Sequence, residues 1–140
     1  VSAAFEYAVL RVVPSIERGE AFNAGVLLYS RELDFLGARV QVDPRRLAAL
    51  DPTADAEAIR CALDAVVALC ADDSAEAARR AGPAGAEDRG RRFRRLTAPR
   101  STVVQPGPVH TGLTADPAGT LEHLFATLVL PIRSGGPDSG

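Results

Sequence analysis

The sequence predicts an α+β fold: an antiparallel sheet of about four strands with two main amphipathic helices packed on one face. Three observations carry this. Phe5 to Val13 and Leu36 to Val42 alternate as strands do. Two stripes recur at helical spacing, Ile59, Leu63, Val66, Val67 and Cys70 in one, Leu121, Leu124, Phe125, Leu128 and Val129 in the other. Three Asp-Pro pairs, at 43–44, 51–52 and 116–117, supply helix-start chemistry. The Asp carboxylate accepts from the first free amides, and Pro sits where a missing N–H costs nothing.

In chain order, Phe5 to Val13 is apolar on both faces apart from Glu6 and Arg11, which predicts a central strand ending at Pro14. A guanidinium in an otherwise apolar row needs an acceptor or an anionic ligand, so Arg11 is a candidate binding residue. The loop from Pro14 to Gly25 carries Arg18 and Asn23 and is longer than a tight hairpin requires. Gly25 to Tyr29 reads as a second strand and Leu36 to Val42 as a third, joined through the SRELD turn as an antiparallel hairpin. The first Asp-Pro pair opens a short turn ending near Leu50. The second leads into a helix to Cys70, and the third into a helix stopped by Pro131.

The segment at about 71–92 is poor in large apolar residues and dense in Ala, Gly, Arg, Asp and Glu, so a surface excursion that adds no core is expected there. The RRFRRL run after it reads as a short solvated helix pinned by Phe93 and Leu96 and neutralised by Glu87 and Asp88. That reading is preferred to an anion or nucleic-acid patch because every basic residue of the chain is Arg, a bias shared with its Ala, Gly and Pro content. Residues 1–133 are expected to form a single domain, with 134–140 as a disordered tail.

At 140 residues the chain is long enough for a core of its own. A net charge of −2 gives no footprint for nucleic acid, so nucleic acid is not the expected partner. The apolar run from Leu124 to Ile132 is about half the length that spans a bilayer, and Ala8 to Val13 is interrupted by Arg11 with no basic leader. No membrane association and a cytoplasmic location are therefore expected. Cys61 and Cys70, nine residues apart on a helix, are separated by about 13 Å along its axis and face opposite ways. They can neither pair nor chelate together; Cys70 is expected in the core and Cys61 nearer the surface.

The run LTAPRSTVVQPGPVHTG, Leu96 to Gly112, concentrates polar side chains between rigid Pro and Gly. Ser101 to Gln105 is expected as a fourth strand, followed by a Pro corner that presents His110. If the first and fourth strands pair, Arg11, Arg18, Asn23, Arg100, Ser101, Thr102 and His110 line one pocket suited to carboxylate or phosphate. His110 is the candidate general acid or base. A Ser101 nucleophile lacks the Gly-x-Ser-x-Gly elbow, no metal-ligand spacing is present, and no phosphate-cradling Gly loop joins a strand to a helix. No cofactor or metal is expected.

EYAVLRVVPSIERGEAFNAGVLLYS, FLGARV and LTAPRSTVVQPGPVHTGL together resemble the uncharacterised bacterial domain-of-unknown-function family 3037. The resemblance covers roughly Phe5 to Leu130 outside the excursion, with APRST and PVHTG its most specific parts. It carries no catalytic residues over to Arg100 or His110. What it implies is an accessory role, with a HipA-like kinase as the partner. The expected function is a small non-enzymatic protein binding a protein partner or an anionic ligand. The alternative is an enzyme acting on a phosphorylated or nucleic-acid substrate, with His110 as acid or base and Arg100 as charge stabiliser.

Overall fold

A computed structural model of the chain describes residues 1–71 and 85–132, with side chains described from Asp88 onward in the second stretch. The expected tail at 134–140 and most of the expected excursion lie outside the described residues. The fold is α+β, and the sheet is antiparallel throughout. Its strands are β1 (Ala3–Val12), β2 (Phe22–Ser30), β3 (Phe35–Val40), β4 (Val104–Pro106) and β5 (His110–Thr114), in the order β3-β2-β1-β4. β5 lies on the same side of β1 as β4: β4 pairs with Leu10 to Val12 and β5 with Ala3 to Tyr7.

β1 and β2 are the interior strands, as the two-faced apolar row of β1 predicts. Their alternate residues feed two separate cores. Leu10 and Val12 of β1, with Leu27 and Tyr29 of β2, meet Leu47, Ile59, Leu63, Cys70, Phe93 and Leu96 from three helices. These helices are α1 (Pro44–Leu50), α2 (Ala56–Cys70) and α3 (Gly85–Leu96). Phe5, Val26 and Leu28 point the other way, onto Leu121, Phe125 and Val129 at α4 (Pro117–Leu128) and its C-terminal edge.

The two long amphipathic helices therefore cover opposite faces of the sheet, not one face as expected. The physical reason is visible in β3: Leu36, Ala38 and Val40 join the first core, while Phe35 packs in the second and Arg39 lies over the Phe125 ring and pairs with Glu122. Both faces of β2 are buried, which a one-sided arrangement would not allow.

A bulge at Ala24–Gly25 keeps this division intact. Leu10 pairs with Gly25 and Arg11 with Asn23, so Ala24 is the extra residue. Glycine is required at 25, where a β-carbon would come 2.8 Å from Val40 Cγ1 and 3.0 Å from the Arg39 carbonyl.

The helix starts follow the Asp signals with one correction. Asp43 caps α1 through the amides of Arg45 and Arg46, and Asp116 caps α4 through Gly119. Asp51 instead closes α1, its N–H donating to Leu47, and Asp55 caps α2 through Ala58. A turn in which the Asp51 carboxylate accepts from the Thr53 amide and hydroxyl separates the two helices.

The expected excursion is corrected at its far end. Residues 85–92 belong to α3, and this stretch does reach the core: Arg92 is buried, donating from Nη1 to the Leu69 carbonyl at 2.6 Å in the last turn of α2. Its Nε lies 3.0 Å from Asp88, an ion pair rather than an aligned hydrogen bond. Phe93 and Leu96 pin the helix as the sequence predicts, Phe93 stacking on Tyr29 with centroids 5.4 Å apart. Cys70 is buried and Cys61 exposed, also as expected.

Candidate functional site

The expected shared pocket depends on β1 pairing with the fourth strand. That pairing exists, but it brings only Arg11, Asn23 and His110 to one face of the sheet and leaves Arg100 and Thr102 on the other. Arg11 is paired side by side with Asn23 and Gln105, on the α4 face of the sheet. Its guanidinium lies over Gly107, where a β-carbon would fall 3.2 Å from Nη2. Asn23 donates from Nδ2 to the Leu128 carbonyl at 3.0 Å, closing the end of α4. Arg18 pairs with Glu20 within its own loop at 2.6 Å, and Ser101 is exposed.

Arg100 and Thr102 stand on the other face. Arg100 donates from Nη2 to the Arg95 carbonyl at 2.6 Å, and Thr102 donates to the Val104 carbonyl at 2.7 Å. Both line a cleft of about 400 Å³ between α2 and the 102–104 segment, whose walls include Ile59, Ala62, Val66 and Val103. His110 lies in β5, a strand the Pro corner had hidden, and its ring is 5.1 Å from that of Tyr7, its β1 neighbour on the α4 face. Arg11 and Arg100 are thus separated by the sheet, and so are His110 and Arg100.

The structure does bring arginines together elsewhere. A cleft of about 600 Å³ opens between α3 and the end of the sheet where β1, β2 and β5 meet. Arg31 enters from the end of β2, and Gly90, Arg91 and Arg94 face it from one side of α3. Glu6, Tyr29 and Thr111 come from the sheet, where register places Glu6 beside both Tyr29 and Thr111. Ala4 and Tyr29 give the floor its apolar part, while the Phe5 side chain belongs to the core under α4.

The polar groups of this cleft are unevenly satisfied. Arg94 Nη2 donates to both oxygens of Glu6, at 2.9 and 2.7 Å. Among the described residues the Arg31 guanidinium has no ion pair or hydrogen bond, although it is permanently charged. Gly90 leaves room on the helix side for the Tyr29 hydroxyl, which lies 2.9 Å from where a β-carbon would sit. The cleft is not legible in the sequence, because Arg91 and Arg94 fall within the general Arg bias and Arg31 within the SRELD turn. The signal that was available is the glycine set immediately before Arg91 and four residues before Arg94.

The lining offers charge, hydroxyls and an apolar floor. Among the described residues no three His, Cys, Asp or Glu side chains cluster to hold a metal ion, and no helix is long and apolar enough to cross a membrane.

An antiparallel sheet clad by helices on both faces, with an arginine-lined cleft at one end, makes this an α+β protein. The model of the family described as "Protein of unknown function (DUF3037)" matches residues 7–129, and the chain belongs to that family. No match was found among curated proteins or among solved structures.

Proposed function

We propose that the protein is a non-enzymatic binding module that recognises an anionic ligand, or an anionic group on a protein partner, in the cleft between α3 and the sheet end. The observation that carries this reading is the approach of Arg31 to Arg91 and Arg94 across an apolar floor. Guanidinium groups beside hydroxyls suit oxyanions, and a volume of about 600 Å³ is in the range that holds small ligands. The enzymatic alternative asks His110 and Arg100 to act on one substrate. Their placement on opposite faces favours binding instead. A kinase-like partner, which the family resemblance implies, fits the same reading as the bearer of the anionic group. The exposed free thiol of Cys61 suits a reducing, cytoplasmic setting.

The experiment is thermal unfolding in the presence of phosphate, sulfate or citrate against chloride at equal ionic strength. Beyond the unsaturating rise that kosmotropic anions give any folded protein, the wild-type midpoint should show a saturating rise at low anion concentration, as for a ligand that binds only the folded state. An Arg31→Ala, Arg94→Ala double variant should lose that rise, while Arg100→Ala and Arg11→Ala retain it. Loss of the rise in Arg100→Ala alone would move the site to the other cleft.

A further inference from the structure

Resting on the reading above, we infer that Glu6 is a built-in occupant of the arginine cleft, standing where a ligand's oxyanions go, and that the ligand class able to displace it is a phosphate dianion. Glu6 is held in place by its strand. It sits on β1 in register with Tyr29 and Thr111, so its side chain rises from the cleft floor beneath α3. Its side chain is 26% exposed, while that of Arg94 is 58% exposed. The contact closes a separation of 88 residues and uses one guanidinium nitrogen for both carboxylate oxygens.

The consequence is a selectivity filter. A ligand carboxylate reaching Arg94 exchanges one monoanion for another and leaves the competing charge of Glu6 nearby. A phosphate dianion brings twice the charge and three acceptor oxygens, enough to engage Arg94 together with Arg31, which is unpaired among the described residues. Because exposed ion pairs of this kind are weak, the Glu6 carboxylate can yield to a stronger anion without unfolding anything around it. Its presence lowers affinity for every anion, and for monoanions it leaves little net gain.

The test is calorimetric titration of the full chain and of Glu6→Gln, which keeps the shape of the side chain and removes its charge. Probes are inorganic phosphate, phenyl phosphate and benzoate, with circular dichroism confirming that each variant is folded. Glu6→Gln should bind both phosphates about fivefold more tightly than wild type and should gain measurable benzoate binding. Equal affinity for the two phosphates identifies the free dianion as sufficient; tighter phenyl phosphate places the organic group on the apolar floor, and either supports the inference. Saturable phosphate binding by wild type with no gain in Glu6→Gln overturns the role of Glu6 and leaves the binding reading standing. Absence of saturable binding in both proteins overturns both.

Discussion

The Tyr29 hydroxyl lies against Gly90 of α3, 2.9 Å from where a β-carbon on that residue would sit. The ring cannot simply swing away, because Tyr29 is buried and stacked on Phe93. This contact sets how closely α3 approaches the sheet, and so sets the width of the arginine cleft.

Gly90→Ala should therefore fail to deliver the stabilisation of about 1 kcal/mol that replacing an interior helix glycine usually brings. Combined with Tyr29→Phe, which removes the obstructing oxygen, the same change should recover about 0.5–1 kcal/mol relative to Tyr29→Phe alone. Urea unfolding of the four proteins as a double-mutant cycle measures the coupling.

Asn23 was a ligand candidate in the sequence and is a helix closure in the structure. It donates to the Leu128 carbonyl, while Arg46 Nη1 reaches the next carbonyl, Val129, at 3.2 Å. Asn23→Ala should cost about 1–1.5 kcal/mol in chemical denaturation, with no change in anion binding.

The two thiols should differ sharply. Cys61 is exposed and Cys70 is buried, so a thiol reagent should label one cysteine in the native protein and the second only after unfolding. Rapid labelling of both in native buffer would contradict the packing of α2.

Burial pushes the Cys70 thiol up to about 11 from an ordinary 9.0, with the Arg92 charge opposing the shift in part. The folded state thus holds the thiol proton more tightly than the unfolded chain does. The stability this contributes is complete below pH 9 and is lost as pH rises from 9 to 11. Over that window wild type should lose about 2 kcal/mol more than Cys70→Val, measured by urea unfolding at each pH.

Much of the fold was legible because its signals are local. Asp43 and Asp116 cap the helices they precede, and the stripe from Ile59 to Cys70 lies inward as its spacing requires. The side of the sheet each helix covers was not legible, since it depends on which alternate row of β1, β2 and β3 each stripe meets. β5 was missed because HTGLT has little apolar alternation of its own and is ordered by pairing with β1. Whether the candidate residues share one pocket was hidden for the same kind of reason. Arg11 falls in the row of β1 that faces α4, whereas Arg100 leaves the end of α3 on the α2 side. Arg31 and Arg94, more than sixty residues apart in the chain, carried no mark in the sequence that joined them.

The most direct measurement is an NMR titration of protein labelled with ¹⁵N only in arginine, following the Nε–H signals as phosphate is added at constant ionic strength. The arginine-cleft account predicts saturable shifts of Arg31 and Arg94, with Arg11, Arg18 and Arg100 unmoved. Saturable shifts of Arg11 or Arg100 while Arg31 and Arg94 stay still would contradict it.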